Sequence, residues 1–257
     1  MTDPPDSLVS FIEKETVADR SLAVVNRTRP RPIQDMLEEL FAEQSVGVRE
    51  FDVPGTEEDM VLLLDGAGEV IASSPLRELE EELLLVNSDL YVTGAKGLDD
   101  VSLPAVLEGL SETPFRVRGY PAAHSEKLPL IAMSRYIERL AWEHGSGRLR
   151  SSFQRLSRLD DERGTREVYR QLGATDVDVH VYGVPDWLPP ESFSGIVHAG
   201  YTGEFRTSWF VVHHPDEEDT AGAALVAERV DDGAWEAVWT FRQERVRAVN
   251  RYIERTL

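Results

Sequence analysis

The segment LPLIAMSRYIERLAWEHGSG, residues 128–147, is the clearest single element of the sequence and the starting point for its fold. Its apolar residues recur every three or four positions, which predicts one buried stripe along a helix. The stripe consists of Leu130, Met133, Ile137, Leu140 and Ala141. Gly145 is predicted to end the helix. The next residues, RLRSSFQRLS at 148–157, predict a strand and a turn, so the chain places helix and strand in direct succession.

Towards the C terminus the pattern changes to strands with short turns. Segments 206–214, 222–230 and 234–241 alternate or cluster apolar residues and are separated by acidic or glycine turns. This spacing predicts an antiparallel meander. A last helix is expected to bury Val246, Val249 and Ile253. Between the first helix and the meander, TREVYRQLG predicts a helix that is capped by Thr165 and closed by Gly173.

The N-terminal part alternates strand and helix signals. Strands are predicted at 21–27, 46–52, 60–65, 69–74 and 89–93. Helices are predicted near 8–15 and from about 103 to 110. Two more are predicted with a proline near their start, one with Pro32 in its first turn and one with Pro75. The sum is an α/β (α+β) chain with mixed sheets flanked by helices, an antiparallel C-terminal meander and a C-terminal helix.

Composition excludes several kinds of site. The 257 residues include no cysteine, which removes disulfides, thiolate nucleophiles and cysteine-ligated metals. No run of eighteen apolar residues is present, and the N-terminal MTDPPDSLVS lacks the basic and apolar parts of a signal peptide. We therefore expect a cytoplasmic protein with no membrane association.

The charge is strongly acidic, with 47 Asp and Glu against 27 Lys and Arg and a net charge of −20. Only three of the basic residues are lysine. Our hypothesis is a halophilic host with an acidic proteome, because concentrated salt screens such a surface. A protein that melts no less stably in 0.1 M salt than in multimolar KCl would contradict it. The same charge disfavours nucleic acid as a partner.

One segment reverses this charge. Residues 148–170 carry seven arginines against four acidic residues, a balance of +3. An anionic ligand or an acidic partner could dock there. Solvent-exposed ion pairs are the alternative explanation.

No catalytic motif stands out. In DVDVHVYG, His180 shares one strand face with Asp178 and Tyr182, and this alternation needs no catalytic explanation. Adjacent His213 and His214 point to opposite faces if their strand continues, so a solvated loop is favoured over a metal site. The nucleophile elbow G-x-S-x-G and a phosphate-binding P-loop are missing. We predict no catalytic residue, no metal and no cofactor.

A polar and aromatic helix face is formed by Arg135, Glu138 and Trp142, at spacing i, i+3, i+7. It could border a pocket, or it could be an exposed, salt-bridged helix surface. The sequence leaves both alternatives open.

The order of these segments resembles the DICT sensory domain, a family named from its occurrence in diguanylate cyclases and two-component systems. The most distinctive matches are Phe153-Gln154-Arg155, Gly183-Val184-Pro185-Asp186 and Trp239-Thr240-Phe241. They occur in the family's order over about residues 110–257. The form with an N-terminal α/β region is similar to stand-alone proteins of halophilic archaea. On this basis we divide the chain into an N-terminal α/β region, residues 1–100, and a DICT-like sensory domain, residues 101–257.

The resemblance implies a sensor or input module and supplies no ligand or catalytic residues. No cyclase, kinase or receiver motif is recognisable, so the output is expected to pass through a separate signalling partner. The alternative is a non-catalytic adaptor that regulates a kinase or transcription factor. We do not expect an enzyme, because the catalytic motifs are missing. Our candidates for contacts with a small-molecule ligand are Trp142, Phe153, Gln154, Tyr182 and Trp187, with Trp209 and Trp239 as further aromatics.

Overall fold

The structure is a computed structural model, and it describes residues 7–13, 19–29, 38, 41, 46–55, 57–83, 97–118, 128–161, 163–217, 219–231 and 234–257. The predicted strand at 89–93 and most of the helix predicted behind Pro32 lie outside these residues. Of that helix, Glu38 and Phe41 are described and are helical. The described residues form two mixed sheets with helices around them, which confirms the predicted fold class.

The helices and strands are as follows. The helices are α1 (Leu8–Glu13), α2 (Leu76–Glu80), α3 (Ala105–Gly109), α4 (Leu128–His144), α5 (Arg158–Asp161), α6 (Arg163–Leu172), α7 (Gly203–Thr207) and α8 (Gln243–Thr256). The strands are β1 (Arg20–Val25), β2 (Val46–Phe51), β3 (Met60–Asp65), β4 (Val70–Pro75), β5 (Phe115–Arg118), β6 (Arg148–Arg155), β7 (Asp178–Val184), β8 (Ile196–Ala199), β9 (Ser208–His214), β10 (Ala223–Asp231) and β11 (Ala234–Thr240). A 3-10 turn covers Leu98–Asp100.

The four N-terminal strands form a sheet in the order β2-β1-β3-β4. β1 pairs with β2 in parallel, while the β1–β3 and β3–β4 pairs are antiparallel. The four predicted strands in this region are confirmed, with boundaries that differ by one or two residues. α2 begins directly after Pro75, which is its N-cap.

The remaining strands form a seven-stranded sheet in the order β5-β11-β10-β9-β6-β7-β8. β9, β10 and β11 are consecutive antiparallel neighbours, so the predicted meander is confirmed. β6, β7 and β8 pair in parallel. β5, β8, α5 and α7 were not predicted from the sequence. α7 occupies the start of the strand predicted at 206–214, which in the structure begins at Ser208.

Two hydrophobic clusters cover the two faces of the seven-stranded sheet. The inner cluster joins one face of that sheet to α4 and α6 and to the N-terminal sheet through Leu22, Val24 and Leu63. The outer cluster lies on the other face, beneath α1, α7 and α8. The apolar stripe predicted for α4 is directed into the inner cluster, where Leu140 is partly buried and the other four residues are fully buried.

α1 belongs to the outer cluster. Leu8, Phe11 and Ile12 are buried there together with Val226 of β10 and residues of α8. The backbone carbonyl of Phe11 accepts a hydrogen bond of 2.6 Å from Arg245. The N-terminal helix is thus packed on the C-terminal sheet, and the division of the chain at residue 100 stays a prediction.

The turn between α4 and β6 needs glycine at one position. Gly147 has φ of +88°, and a Cβ there would lie 2.7 Å from the carbonyl oxygen of His214. Such contact is far inside van der Waals distance, and positive φ disfavours other residues. Gly147 therefore lets the entry of β6 lie directly against the end of β9.

No helix in the described ranges is long and apolar enough to cross a membrane.

Candidate ligand-binding site

The parallel strands β6, β7 and β8 carry a row of polar side chains on the outer face of the sheet. Alternation along each strand places them there, since every second residue points to the same side. Arg150 is the Cα partner of His180, and Tyr182 is the Cα partner of His198. We call Arg148, Arg150, His180, Tyr182 and His198 the polar face.

Arg150 is the buried centre of the polar face, with 2% of its surface exposed. Its Nε–H donates to Oδ1 of Asn250 at 2.8 Å, and its Nη1–H donates to the hydroxyl of Tyr182 at 2.6 Å. The nearest carboxylate belongs to Glu254, whose oxygen is 3.4 Å from Nη2. Because this carboxylate is half exposed, the buried guanidinium is neutralised by a counter-ion that water can reach.

The two histidines stand side by side. Nδ1 of His180 and Nε2 of His198 are 2.9 Å apart, which is a hydrogen bond between the rings. The His198 ring also stacks on Tyr182, with centroids 4.3 Å apart and planes 8° from parallel. This stack ties β8 to β7 through side chains as well as through the backbone ladder.

Burial and positive charge keep both rings neutral. Burial, followed by the charge of Arg150, lowers the pKa of His180 to about 4. The same two causes lower the pKa of His198. At neutral pH one ring therefore donates its N–H to the other, and each ring keeps its second nitrogen for another partner.

These groups define the chemistry that the polar face can offer. Neutral imidazoles, a tyrosine hydroxyl and a partly exposed guanidinium at Arg148 bind ligands by hydrogen bonds and by attraction to negative charge. Among the described residues no group of three or more His, Asp or Glu could hold a metal ion. An anionic or strongly polar ligand fits this face best.

The structure separates the five residues predicted for a ligand site. Tyr182 lies on the polar face, in the outer cluster. Trp142, Phe153 and Trp187 are partly buried and pack against the inner cluster instead. Their role in ligand binding stays a prediction, but they do not share one cavity wall with Tyr182.

Gln154 is the fifth of these residues, and its side chain is already engaged. Its Nε2 donates to the carbonyl oxygen of Ser208 at 2.8 Å, and its Oε1 accepts from Arg158 at 2.5 Å. Its backbone adopts a φ of +54°. These contacts make Gln154 a link between β6, α5 and β9.

The helix face of Arg135 and Glu138 is neither a pocket wall nor an exposed surface. Both side chains are buried and form an ion pair. Arg135 also donates to the hydroxyl of Thr165 at 2.9 Å, and Glu138 accepts from the hydroxyl of Tyr169 at 2.9 Å. Of the two alternatives left open by the sequence, the exposed salt-bridged surface is wrong for Arg135 and Glu138, because α6 covers this face. Thr165 is not a helix cap either, since α6 begins at Arg163.

The arginine-rich segment 148–170 contains exposed ion pairs and also an arginine on the polar face. Arg166 and Arg170 form exposed ion pairs with Asp160 and Glu167, as the alternative explanation predicted. Arg150 is buried on the polar face. The segment is therefore split between the two faces of the sheet, with α6 on the inner side and Arg148 and Arg150 on the outer side.

His213 and His214 point to opposite faces of β9, as expected for a continuing strand. His213 is fully buried in β9, and its Nε2 lies 2.9 Å from Nδ1 of His144. Burial lowers its pKa to about 4, and His144 adds to this effect. His214 lines a cleft of about 190 Å³ on the other side, together with Asp216 and Arg247. The strand continues through both histidines, as predicted for 206–214, and the exposed Asp216, Glu217 and Asp219 lie in the loop that follows it.

Sequence reasoning missed most of the polar face. The alternation of Arg148, Leu149 and Arg150 in RLRSS was a usable signal that both arginines lie on one side of β6. His198 gave no such signal, because β8 has only four residues. Asn250 and Glu254 reach the site from α8, about 100 residues further along the chain.

Comparisons with known proteins point to one family. A search of curated proteins found no match. A solved structure with detectable similarity is a polyphosphate kinase from Porphyromonas gingivalis, at 15% identity and a TM-score of 0.33, covering 59% of this chain. The chain spans 24% of that kinase, and the likeness is too low to support an argument. Residues 105–229 match the model of the family described as DICT, the sensory domain in diguanylate cyclases and two-component systems, and this match supports a DICT domain in the chain with a sensor role.

Proposed function

We propose that this protein is a cytoplasmic input module that senses a small-molecule or protein signal and acts through a separate output partner. The match of residues 105–229 to a sensory family carries the proposal. Strands β6, β7 and β8, which hold the polar face, all lie within that match. The proposal includes no catalytic step, and it retains the halophilic host as the setting.

The polar face is the proposed entry point for a small ligand. His180 and His198 are each partly exposed, and both keep a nitrogen for an outside partner. Arg148 adds a partly exposed guanidinium that shares the carboxylate of Glu254 with Arg150, at 4.0 Å and 3.4 Å. In a protein of net charge −20, the guanidinium groups of this face would attract an anionic ligand locally.

The test begins with the full chain purified in concentrated KCl from its native cytoplasm. Small molecules released by denaturation are identified by mass spectrometry, from wild type and from two variants. His198→Ala removes a ring of the polar face, and Arg166→Ala is the control on α6, over the other side of the sheet. We expect a compound that is enriched with wild type and Arg166→Ala and lost with His198→Ala. Equal enrichment in all three samples would contradict a ligand at the polar face.

Two other substitutions are poor tests of the same idea. Tyr182 is fully buried and supports Arg150, so Tyr182→Ala would lower stability without any ligand. Gln154→Ala would release the carbonyl of Ser208 and the side chain of Arg158. His198 is partly exposed and is the cleaner choice.

A second candidate function is an adaptor without a small ligand. Exposed apolar side chains lie in β8, the edge strand of the large sheet, and in the segments before and after it: Ile196, Leu188 and Tyr201 are 52%, 88% and 65% exposed. Such residues beside an open strand edge favour a protein partner. A stoichiometric protein recovered at high salt, with no enriched small molecule, would favour this candidate over the first.

A further inference from the structure

The buried carboxyl group of Glu228 lies outside the polar face and has no role in the proposed function. Glu228 is on β10, two residues beyond Val226, and points to the same outer side of the sheet. Only 7% of its surface is exposed. Its Oε2 has no hydrogen-bond partner within the described part of the chain. A buried carboxylate in this state is costly, which favours the protonated form.

The contacts of Thr207 point to the same protonation state. The Thr207 hydroxyl lies 2.9 Å from the carbonyl oxygen of Gly203 and also contacts Oε1 of Glu228. A hydroxyl has one proton to donate, and the carbonyl of Gly203 can only accept. Both contacts are hydrogen bonds when Glu228 brings the second proton and donates it to Thr207. The geometry of α7 therefore fits a neutral carboxyl group.

Glu204 is the acidic group that disfavours a charge on Glu228. It lies on α7 and accepts a hydrogen bond of 2.5 Å from the hydroxyl of Tyr252 on α8. Its negative charge makes a second one on Glu228 unfavourable, while Arg229 on β10 opposes this effect. The neighbouring elements also carry Arg206 on α7, Glu236 on β11, Glu13 at the end of α1, and four arginines and two glutamates on α8.

We propose that Glu228 is a proton-binding site that couples the position of α7 to pH. When the carboxyl loses its proton, the Thr207 hydroxyl must give its single proton to Glu228 and release the carbonyl of Gly203. This breaks a hydrogen bond within the five residues of α7 and brings a second negative charge beside Glu204. Both effects loosen the contact between α7 and β10.

The pH range follows from the same environment. Burial, and secondarily Glu204, raises the pKa of Glu228 to about 7, while hydrogen bonding to Thr207 opposes the increase. The site would then titrate where cytoplasmic pH varies. α7 also carries Phe205, whose ring lies 6.5 Å from that of Tyr182. Any effect of a movement of α7 on ligand binding at the polar face rests on the proposed function. Proton binding at Glu228 does not.

The test measures urea unfolding of the full chain from about pH 5 to pH 9 at constant KCl, without any ligand. The folded state binds this proton more tightly than the unfolded chain, whose carboxyl has a pKa near 4.5. The contribution of this proton to the free energy of unfolding should therefore fall as pH rises from about 4.5 to 7. Above pH 7 it should no longer change with pH. Glu228→Gln should lose this component and gain stability relative to wild type above pH 7. Glu191→Gln, on an exposed loop, should behave as wild type.

An infrared measurement reads the proton directly. We expect a protonated carboxyl band at about pH 6 that disappears by about pH 8.5 and is absent from Glu228→Gln. Should that variant fail to fold, Glu204→Gln decides, because removing the neighbouring charge should shift the titration to lower pH. A band that persists in Glu228→Gln, or an unchanged midpoint in Glu204→Gln, would overturn the proposal. These outcomes are independent of whether the polar face binds a ligand.

Discussion

The ion pair of Arg135 and Glu138 gives the sharpest test of how the sensory region is held together. Arg135→Met removes the guanidinium and leaves the buried carboxylate with the hydroxyl of Tyr169 as its partner among the described residues. Breaking a buried pair in this way costs about 3–5 kcal/mol, because the remaining charge stays out of water. We expect a loss of that size in the free energy of unfolding, measured by urea titration at constant KCl.

The double variant separates the cost of the unpaired charge from the value of the pair. Arg135→Met combined with Glu138→Leu removes both charges and fills a similar volume. Thr165 and Tyr169 then each lose a partner at about 1 kcal/mol, while relief of desolvation returns about 1–4 kcal/mol. The double variant should therefore lie within about 2 kcal/mol of wild type.

An exposed pair supplies the matched control. Arg170 and Glu167 form an i,i+3 pair on α6 with side chains 69% and 39% exposed. Arg170→Met should change stability by less than about 1 kcal/mol, since water screens such a pair. If Arg135→Met cost as little as Arg170→Met, or if the double variant lost the full sum of its single changes, the account of a buried pair would be wrong.

Two further predictions concern the end of β9. His213→Gln should make acid unfolding less steep: the folded ring has a pKa of about 4 against 6.5 in the unfolded chain, so wild type loses up to about 3 kcal/mol as pH falls from 6.5 to 4. An unchanged proton uptake in that range would show that His213 is not the group responsible. Gly147→Ala should lower thermal stability by about 1–3 kcal/mol, because the new Cβ meets the carbonyl of His214. Gly203→Ala, where a Cβ meets nothing within 4 Å, is the control and should have little effect.

The fold class and most strands could be predicted because their signals are local. The stripe of α4 repeats with the period of a helix, and DVDVHVYG alternates with the period of a strand, so each pattern states which side is buried. The meander followed from short turns between strands. β5 and β8, with four residues each, are too short to produce a period.

The candidate site was harder to predict because its members come from distant segments. Tyr182 was selected from its own strand, but its partners Arg150 and His198 are separated from it along the chain, as is Asn250, which accepts a hydrogen bond from Arg150. For Trp142, Phe153 and Trp187, which were predicted together with Tyr182, the neighbouring sequence does not indicate which face of the sheet their side chains contact. Periodicity alone could therefore find members of the site without assembling them.

The sequence by itself determined that this is an acidic α/β chain without cysteine, with a C-terminal meander and a resemblance to a sensory family. Those properties depend on composition and on repeats of two or about four residues. Tertiary structure alone decided that Arg135 is buried rather than exposed, that the two histidines of the polar face meet, and that Glu228 is buried beside Glu204. The physical reason is that burial and charge environment are set by which elements cover a face, and strand order and helix packing bring together residues far apart in the chain.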